Sequence, residues 1–411
     1  MSHDDGAPVV SVVVPYYERP DQLARLLAGL DVQTLPATDF EVVVADDGST
    51  RPPTVDDPAY DVTVVTQTDA GFRAAAARNL GARTARGSVL VFLDQDCVPE
   101  PDYLEKVASL TDGDWDLTLG RRRHAELDGW GPAAVRTWLR GDGPAPVELE
   151  EPQWLLDGYA RTLDLTRPDP RSYQLVISAV LSVSRALHER LGGFDESFSS
   201  YGGEDWDYGH RALVAGAELR HLVDAVVWHD GPDLPGRGDW IGAKNAETLT
   251  LAALVPDRDV RGDHLVWAVP DVVIHLDAAG ADPASVVASV ESMLAGSDAH
   301  VWLEGAPMLP LEDPRVHHGA PPQRVLDRAR WSVHCVPVLL HGTTTRALTE
   351  LAPVKGDGIT VVSRRDENLA SRGRAVPRPQ PLAERIGEGV RVERIVSPPV
   401  LERLWQGRPR R

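Results

Sequence analysis

Short apolar runs bounded by polar residues recur along the first half of the chain. A run of that kind reads as a buried strand of a parallel sheet. Residues 9–14, 41–45 and 62–66 predict three such strands. Between the first two, Asp21 opens a stretch with Leu23, Leu26, Leu27 and Leu30 on one helical face. Residues 74–86 form an alanine-rich helical segment closed by Gly87. The run from Val89 to Leu93 then stops abruptly at Asp94-Gln95-Asp96. Strands and helices alternate with short connections, the order of an α/β fold on a mostly parallel sheet.

The pattern weakens over residues 112–171, where Trp115, Trp130, Trp138 and Trp154 are scattered among glycines, prolines and acids. This stretch reads as irregular structure with a helix or two over one face, either a lid or specificity loop beside a site or simple packing. Order returns with an apolar run at 175–183, a helix capped by Ser184 and the segment Gly192-Gly193-Phe194-Asp195-Glu196. Gly202-Gly203-Glu204-Asp205 then leads into a helix ending near Gly216, and residues 221–229 form a last strand with His229 at its end. A helix over 245–255 and a polar stretch at 256–263 place a domain boundary there, giving domains 1–258 and 263–411. Beyond it the pattern restarts: a strand at 271–276, a helix opened by Asp282-Pro283, and a strand at 300–303 ending in Glu304-Gly305. Residues 338–352 resemble residues 179–192. The second half therefore reads as a smaller α/β domain, a shortened and degenerate repeat of the first, with an unrelated α/β domain as the alternative. The arginine-rich tail from Pro398 is expected to be mobile.

Open α/β sheets bind ligands just outside the carboxyl ends of their strands. Asp46-Asp47 and Asp94-x-Asp96 both stand there. Two carboxylates two residues apart suit a hard divalent cation, which in turn suits a diphosphate. The alternative is turn chemistry for the first pair, and a capping Asp94 with a solvated Asp96 for the second. Glu204 and Asp205 at a helix start are stabilised by its dipole, so capping is their plain reading, although two glycines before them allow close approach of a ligand. A lone histidine such as His229 is more often structural than a ligand.

Composition narrows the classes. The 411 residues are 42% hydrophobic and 25% charged, ordinary for a soluble protein with room for two or three domains. The net charge of −20 argues against a nucleic-acid or anionic-membrane surface. It also means that a pyrophosphate needs a metal or local arginines to hold it. Only two cysteines occur, the N-terminus is acidic and polar rather than a signal peptide, and no apolar run approaches a membrane span. A cytoplasmic location, with at most peripheral membrane contact, is expected.

Seven segments in order, VVVPYYERP, VVVADDGST, GFRAAAARNLGA, VFLDQDC, RLGGFDESF, GGEDWDYGHR and VVWH, resemble the family 2 glycosyltransferases of GT-A fold. These are inverting enzymes with a Rossmann-like nucleotide-diphospho-sugar domain. The segments are closest to the chondroitin-polymerase and β-1,4-galactosyltransferase types. Glu18 stands where that loop usually carries Asn. The resemblance implies that Asp46, with Asp47, Pro15, Tyr17, Glu18 and Arg19 beside it, contacts the nucleoside of the donor. Arg73 and Arg78 would lie against its base or phosphates. Asp94, Asp96 and His229 would hold Mn²⁺ or Mg²⁺, with Asp96 the more direct ligand and Asp94 also facing the donor. Asp205 would be the general base and Glu204 would position the acceptor. A UDP-sugar is the favoured donor; the acceptor is a glycan, a lipid-linked sugar or a small molecule, and a homo-oligomer is allowed. Two other classes compete. The run VFLDQDCV also fits the start of an aspartyl phosphatase, which needs a lysine that this chain lacks in any convincing motif. A non-catalytic sugar-nucleotide sensor is the third.

Overall fold

A computed structural model describes residues 7–108, 115–199, 202–232, 241–262, 265–341, 344–356, 358–382, 385, 391–399, 401 and 404. The expected mobile tail lies for the most part outside these. The chain divides into two compact units, Met1–Leu213 with Ala217–Thr250, and Val214–Gly216 with Leu251–Arg411. The division falls a few residues before the polar stretch at 256–263.

The first unit runs β1 (Val10–Tyr16), α1 (Pro20–Leu30), β2 (Phe40–Asp46), β3 (Asp61–Thr66), α2 (Ala74–Thr84), β4 (Val89–Leu93), β5 (Cys97–Pro99), α3 (Tyr103–Ala108), β6 (Leu117–Glu126), α4 (Pro132–Leu139), β7 (Val147–Leu149), α5 (Gln153–Thr162), β8 (Val180–Ser184), α6 (Arg185–Leu191), α7 (Glu204–Val214), β9 (Leu219–Asp230) and α8 (Ile241–Leu254). Its sheet has the order β3-β2-β1-β4-β8-β6-β9-β5, with β7 paired to β6. The β1–β2, β2–β3 and β1–β4 pairs are parallel, while β8 runs antiparallel to β4. Val10, Val12, Val13 and Val14 are all fully buried, as a strand covered on both faces requires. Helix α2 sits so close to the sheet that a Cβ on Gly81 would come within 2.4 Å of Val13 Cγ1, so only glycine fits there.

Two expectations need correction, and the apolar run at 175–183 is a strand only in part. Helix α2 ends at Thr84, before Gly87, because the Arg86 amide and guanidinium both donate to the Glu41 carboxylate and draw the chain off the helix axis. Strand β8 starts only at Val180, since residues 172–175 form a turn of 3₁₀ helix. Above all, residues 112–171 are not mainly irregular. They supply β6, an interior strand of ten residues between β8 and β9. Its alternation was hidden by Arg121, Arg122 and Arg123. Two of these are paired with acids, Arg121 with Glu151 at 2.5 Å and Arg123 with Glu148, and Arg123 also lies over Trp228 at 4.2 Å. Trp138 packs edge-on against Trp130 and Trp228, so these tryptophans are packing residues.

The second unit contains β10 (Val272–Asp277), α9 (Pro283–Leu294), β11 (Ala299–Glu304), β12 (Val316–His318), α10 (Gln323–Leu326), β13 (Trp331–Cys335), β14 (Val338–His341), α11 (Thr345–Thr349), β15 (Val354–Gly356), β16 (Ile359–Ser363), α12 (Arg364–Ser371), β17 (Gln380–Pro381) and β18 (Arg391–Arg394). Its main sheet has the order β12-β11-β10-β13-β16-β15-β17. The stretch β12-β11-β10-β13-β16 follows the same path as β3-β2-β1-β4-β8, with the same parallel pairs and the same antiparallel fifth strand. Residues 338–352 are not the counterpart of 179–192: β14 pairs with β18 in a separate two-stranded sheet. The strand in that place is β16. Like β8, it ends in a serine that caps the next helix, Ser363 accepting from the Asp366 amide as Ser184 accepts from the Leu187 amide.

Candidate functional site

Because β1, β2 and β4 are parallel, their carboxyl ends lie along one edge of the sheet. A cleft of 380 Å³ opens there, lined by Pro15, Tyr16, Tyr17, Asp47, Gly71, Phe72, Ala74, Ala77, Arg78, Asp94, Gln95 and Asp96. Its size is that of a small-molecule site. Tyr17 and Phe72, 46% and 47% exposed, present large aromatic faces to it, which water alone does not favour.

Asp46 is the last residue of β2 and is fully buried. Its Oδ1 accepts from the Ser49 amide at 3.0 Å, while Oδ2 has no hydrogen-bond partner among the described residues. A buried acceptor left open is costly unless a ligand donor fills it. Asp47 is spoken for: it accepts from Gln67 Nε2 at 2.6 Å and from the Arg73 amide at 2.9 Å. It fixes the loop that leads into α2, and Arg73 itself donates to the Thr68 carbonyl. Glu18 has φ 52°, a region that Asn tolerates and Glu does not favour, which accounts for the residue usual at this position. Its carboxylate accepts from the Thr50 amide and its own amide donates to Ser49 Oγ, so it joins two loops. Arg19 is exposed and 3.9 Å from Asp21, and it does not line the cleft.

The Asp-x-Asp turn joins β4 to β5. Strand β5 pairs with β9 in a register that sets Cys97 opposite His229. That register brings Asp96 Oδ2 to 3.4 Å from His229 Nε2. Asp94 does not join them. Its Oδ1 accepts from Arg78 Nη2 at 2.6 Å. Among the described residues no group of three or more His, Cys, Asp and Glu side chains is placed to hold an ion. The protein therefore offers one carboxylate and one imidazole, a donor pair that suits Mn²⁺ or Mg²⁺ once diphosphate oxygens complete the shell.

Arg78 is the central residue of the site. Its second arm, Nη1, donates to Glu204 Oε1 at 2.8 Å, so one buried guanidinium ties the Asp-x-Asp turn to the start of α7. The two carboxylates raise its pKa, against the desolvation that acts the other way. It is a crossbeam rather than an open phosphate ligand. Sequence spacing held no sign of this, because a partner 126 residues away is invisible in a local pattern.

At the head of α7, Gly202 and Gly203 have φ of 87° and 92°, and a Cβ on Gly202 would crowd the Glu247 carboxylate. Glu204 Oε2 is buried with no partner among the described residues. Burial and the neighbouring Glu204 charge push the Asp205 carboxyl up to about 8. Two residues of α8 complete this end and escaped the sequence reading: buried Glu247, and Lys244, which pairs with it at 2.7 Å and lies 4.5 Å from the Trp206 ring. Gln95 also escaped it. Its side-chain amide accepts from the Tyr17 amide at 2.8 Å and donates to the Tyr17 carbonyl at 3.3 Å, holding the two sides of the cleft together. A fourth is Arg25, buried in α1, which donates to Asp230 at 2.6 Å and so anchors the residue after His229.

Comparison with known proteins gives the family. Residues 11–160 match the family model described as glycosyl transferase family 2, and residues 161–225 match that described as the N-terminal domain of galactosyltransferase. The chain is 36% identical over 229 residues to a validoxylamine A glucosyltransferase of Streptomyces hygroscopicus subsp. jinggangensis, covering 52% of this chain and 53% of that one. It is 34% identical over 228 residues to the glycosyltransferase AglE of Haloferax volcanii, covering 54% and 67%. It is 28% identical over 269 residues to a chondroitin synthase of Escherichia coli, covering 60% and 38%. The chain belongs to glycosyl transferase family 2, and its first unit has the GT-A fold. It spans about half the length of the first of these relatives.

Proposed function

We propose that the first unit is a metal-dependent, inverting glycosyltransferase that moves a sugar from a nucleotide-sugar, with a UDP-sugar favoured, to an acceptor hydroxyl. The observation that carries this reading is the Arg78 crossbeam, which sets the Asp-x-Asp turn and the Glu204-Asp205 helix start against each other. Asp46 Oδ2, buried and unpaired, suits a nucleobase or ribose donor group. Tyr17 and Phe72 offer aromatic faces for the base. Asp96 and His229 would hold a divalent ion together with the donor diphosphate. When bound, that ion neutralises charge on the leaving nucleoside diphosphate.

Asp205 takes the proton of the acceptor hydroxyl. The acceptor oxygen then bonds to the anomeric carbon as the bond from that carbon to the diphosphate oxygen breaks, with inversion. A carboxylate whose pKa stands well above the ordinary range is a stronger base for this task. Glu204 Oε2, still open as an acceptor, orients the incoming hydroxyl. The acceptor is a glycan, a lipid-linked sugar or a small molecule.

The phosphatase reading loses support because Asp94, its nucleophile, is engaged by Arg78, and no lysine lines the cleft. The second unit we read as a degenerate, non-catalytic copy. Val336 and Val338 stand after β13 where Asp94 and Asp96 stand after β4.

The test is a screen of UDP-, GDP- and dTDP-sugars with and without Mn²⁺. It is read by product mass spectrometry and by the anomeric configuration of the product. Donor-independent phosphate release, or a retained configuration, would overturn the reading.

A further inference from the structure

The second unit has a cavity of its own. It holds 580 Å³ and lies at the amino ends of β10, β11 and β13, the end opposite to the one where open α/β sheets carry their ligands. It is therefore not the remnant of a donor site. Five arginines line it, Arg258, Arg261, Arg315, Arg330 and Arg346, against three acids. In a chain of net charge −20, a pocket with that balance runs against the overall field.

Part of this charge is structural. Arg261 is paired with Asp298, Arg330 is bidentate on Asp271, and Arg315 is held by Asp313. These pairs stiffen the wall, with Arg261 also donating to the Ala252 and Val269 carbonyls and Arg315 to that of Leu294, and each five-donor guanidinium still has N–H groups beyond those its partners take. Arg258, which is exposed, and Arg346 add charge at the rim. A second observation points inward. His300 lines the cavity and is 4% exposed, and its Nε2 is buried without a partner among the described residues. Burial, His317 and Arg315 keep it neutral, pushing its pKa down to about 4. Nδ1 is 3.0 Å from His317 Nε2. An imidazole that accepts there carries its proton on Nε2, and this atom becomes a neutral donor in an arginine-lined pocket.

We infer that this cavity is a binding site for a phosphate-class oxyanion, either inorganic phosphate or a small phosphate monoester. Guanidinium forks bind tetrahedral oxyanions in two-point fashion, and a buried neutral N–H completes the set. The inference does not depend on the activity proposed for the first unit.

Inorganic phosphate is titrated calorimetrically into the full chain, in EDTA and at constant ionic strength set with chloride. One saturable site is expected. The double variant Arg258→Gln/Arg346→Gln, whose substitutions leave the Arg261–Asp298 and Arg330–Asp271 pairs intact, should bind at least about tenfold more weakly. Asp96→Ala should bind as the parent does, which separates this site from the cleft of the first unit. In the parent protein, ¹⁵N-histidine NMR should show the His300 resonances moving with phosphate. Glucose 1-phosphate and glucuronate are compared as probes. The inference is overturned by the absence of saturable binding, by equal binding in the double variant, by a static His300, or by tighter binding of glucuronate than of phosphate.

Discussion

Asp96 and His229 face each other at 3.4 Å because β5 and β9 pair with Cys97 opposite His229. Two side chains more than 130 positions apart are thus aligned by backbone register, and a slip of one residue would turn one of them to the other face. The imidazole side is braced further by Asp230, which takes Arg25 on one oxygen and the Leu127 amide on the other.

Ligand binding should follow this geometry. Asp96→Ala or His229→Ala is expected to weaken Mn²⁺-dependent donor binding by about tenfold or more and to abolish transfer. The folding midpoint should remain near that of the parent. Calorimetric titration of UDP with and without Mn²⁺ checks this. Full transfer in excess EDTA would contradict it.

Arg78→Met should be among the most damaging single changes in the first unit. It leaves the buried Glu204 uncompensated, and Asp94 at the cleft wall without its partner, a loss of about 3–5 kcal/mol carried mainly by Glu204. Arg78→Lys keeps the charge but cannot span both carboxylates, so it should recover part of the stability and little of the turnover. Urea denaturation beside kcat for the two variants separates these effects.

Asp205→Asn should keep donor and metal affinity and lose about 10²–10⁴ in turnover. Its stability should change in a definite direction with pH. The folded carboxyl is raised above its unfolded value, so the wild-type protein is relatively most stable below the unfolded pKa. That stability falls as pH climbs through the raised value near 8. The Asn variant carries no such penalty. It should match wild type near pH 4 and exceed it by more than about 1 kcal/mol at pH 9. In the wild type, kcat/KM should rise with pH over the same upper range, because the base must be ionised. Loss of donor affinity with turnover at saturation intact would make Asp205 a binding residue or a helix cap.

Glu304 ends β11 as Asp46 ends β2, yet it is exposed where Asp46 is fully buried. Glu304→Ala should leave turnover unchanged, and donor titration should give one site per chain. A second nucleotide-sugar site, or loss of turnover in the folded variant, would mean that the second unit is catalytic.

Several of these features were legible in the sequence. Val89 to Leu93 is a strand with the bounds its apolar run defines, and Ser184 and Asp282 cap the helices they precede. Local pattern suffices there because the stabilising partner is within three residues. It failed at β6, where two of the three arginines, Arg121 and Arg123, are satisfied by acids more than twenty positions away. It also failed for the repeat, where VLLH in β14 looks more like the β8 run than ITVVS in β16 does. Only pairing with β13 distinguishes the two. In the candidate site the acids could be read one by one, but not that Asp94 belongs to Arg78, nor that Lys244 and Glu247 stand beside Trp206.

Arg78 also bears on how the binding of one substrate affects the other. Its two arms share one positive charge between Asp94, on the proposed donor side, and Glu204, on the proposed acceptor side. Any cation that draws charge from Asp94 leaves more of the guanidinium for Glu204, and so alters the carboxylate that greets the acceptor. Such coupling is reciprocal by thermodynamic necessity, so the acceptor must change donor affinity by the same factor. Mutual dependence of donor and acceptor affinities is the behaviour this shared arginine favours, and Arg78→Lys, which cannot hold both sides, should weaken it.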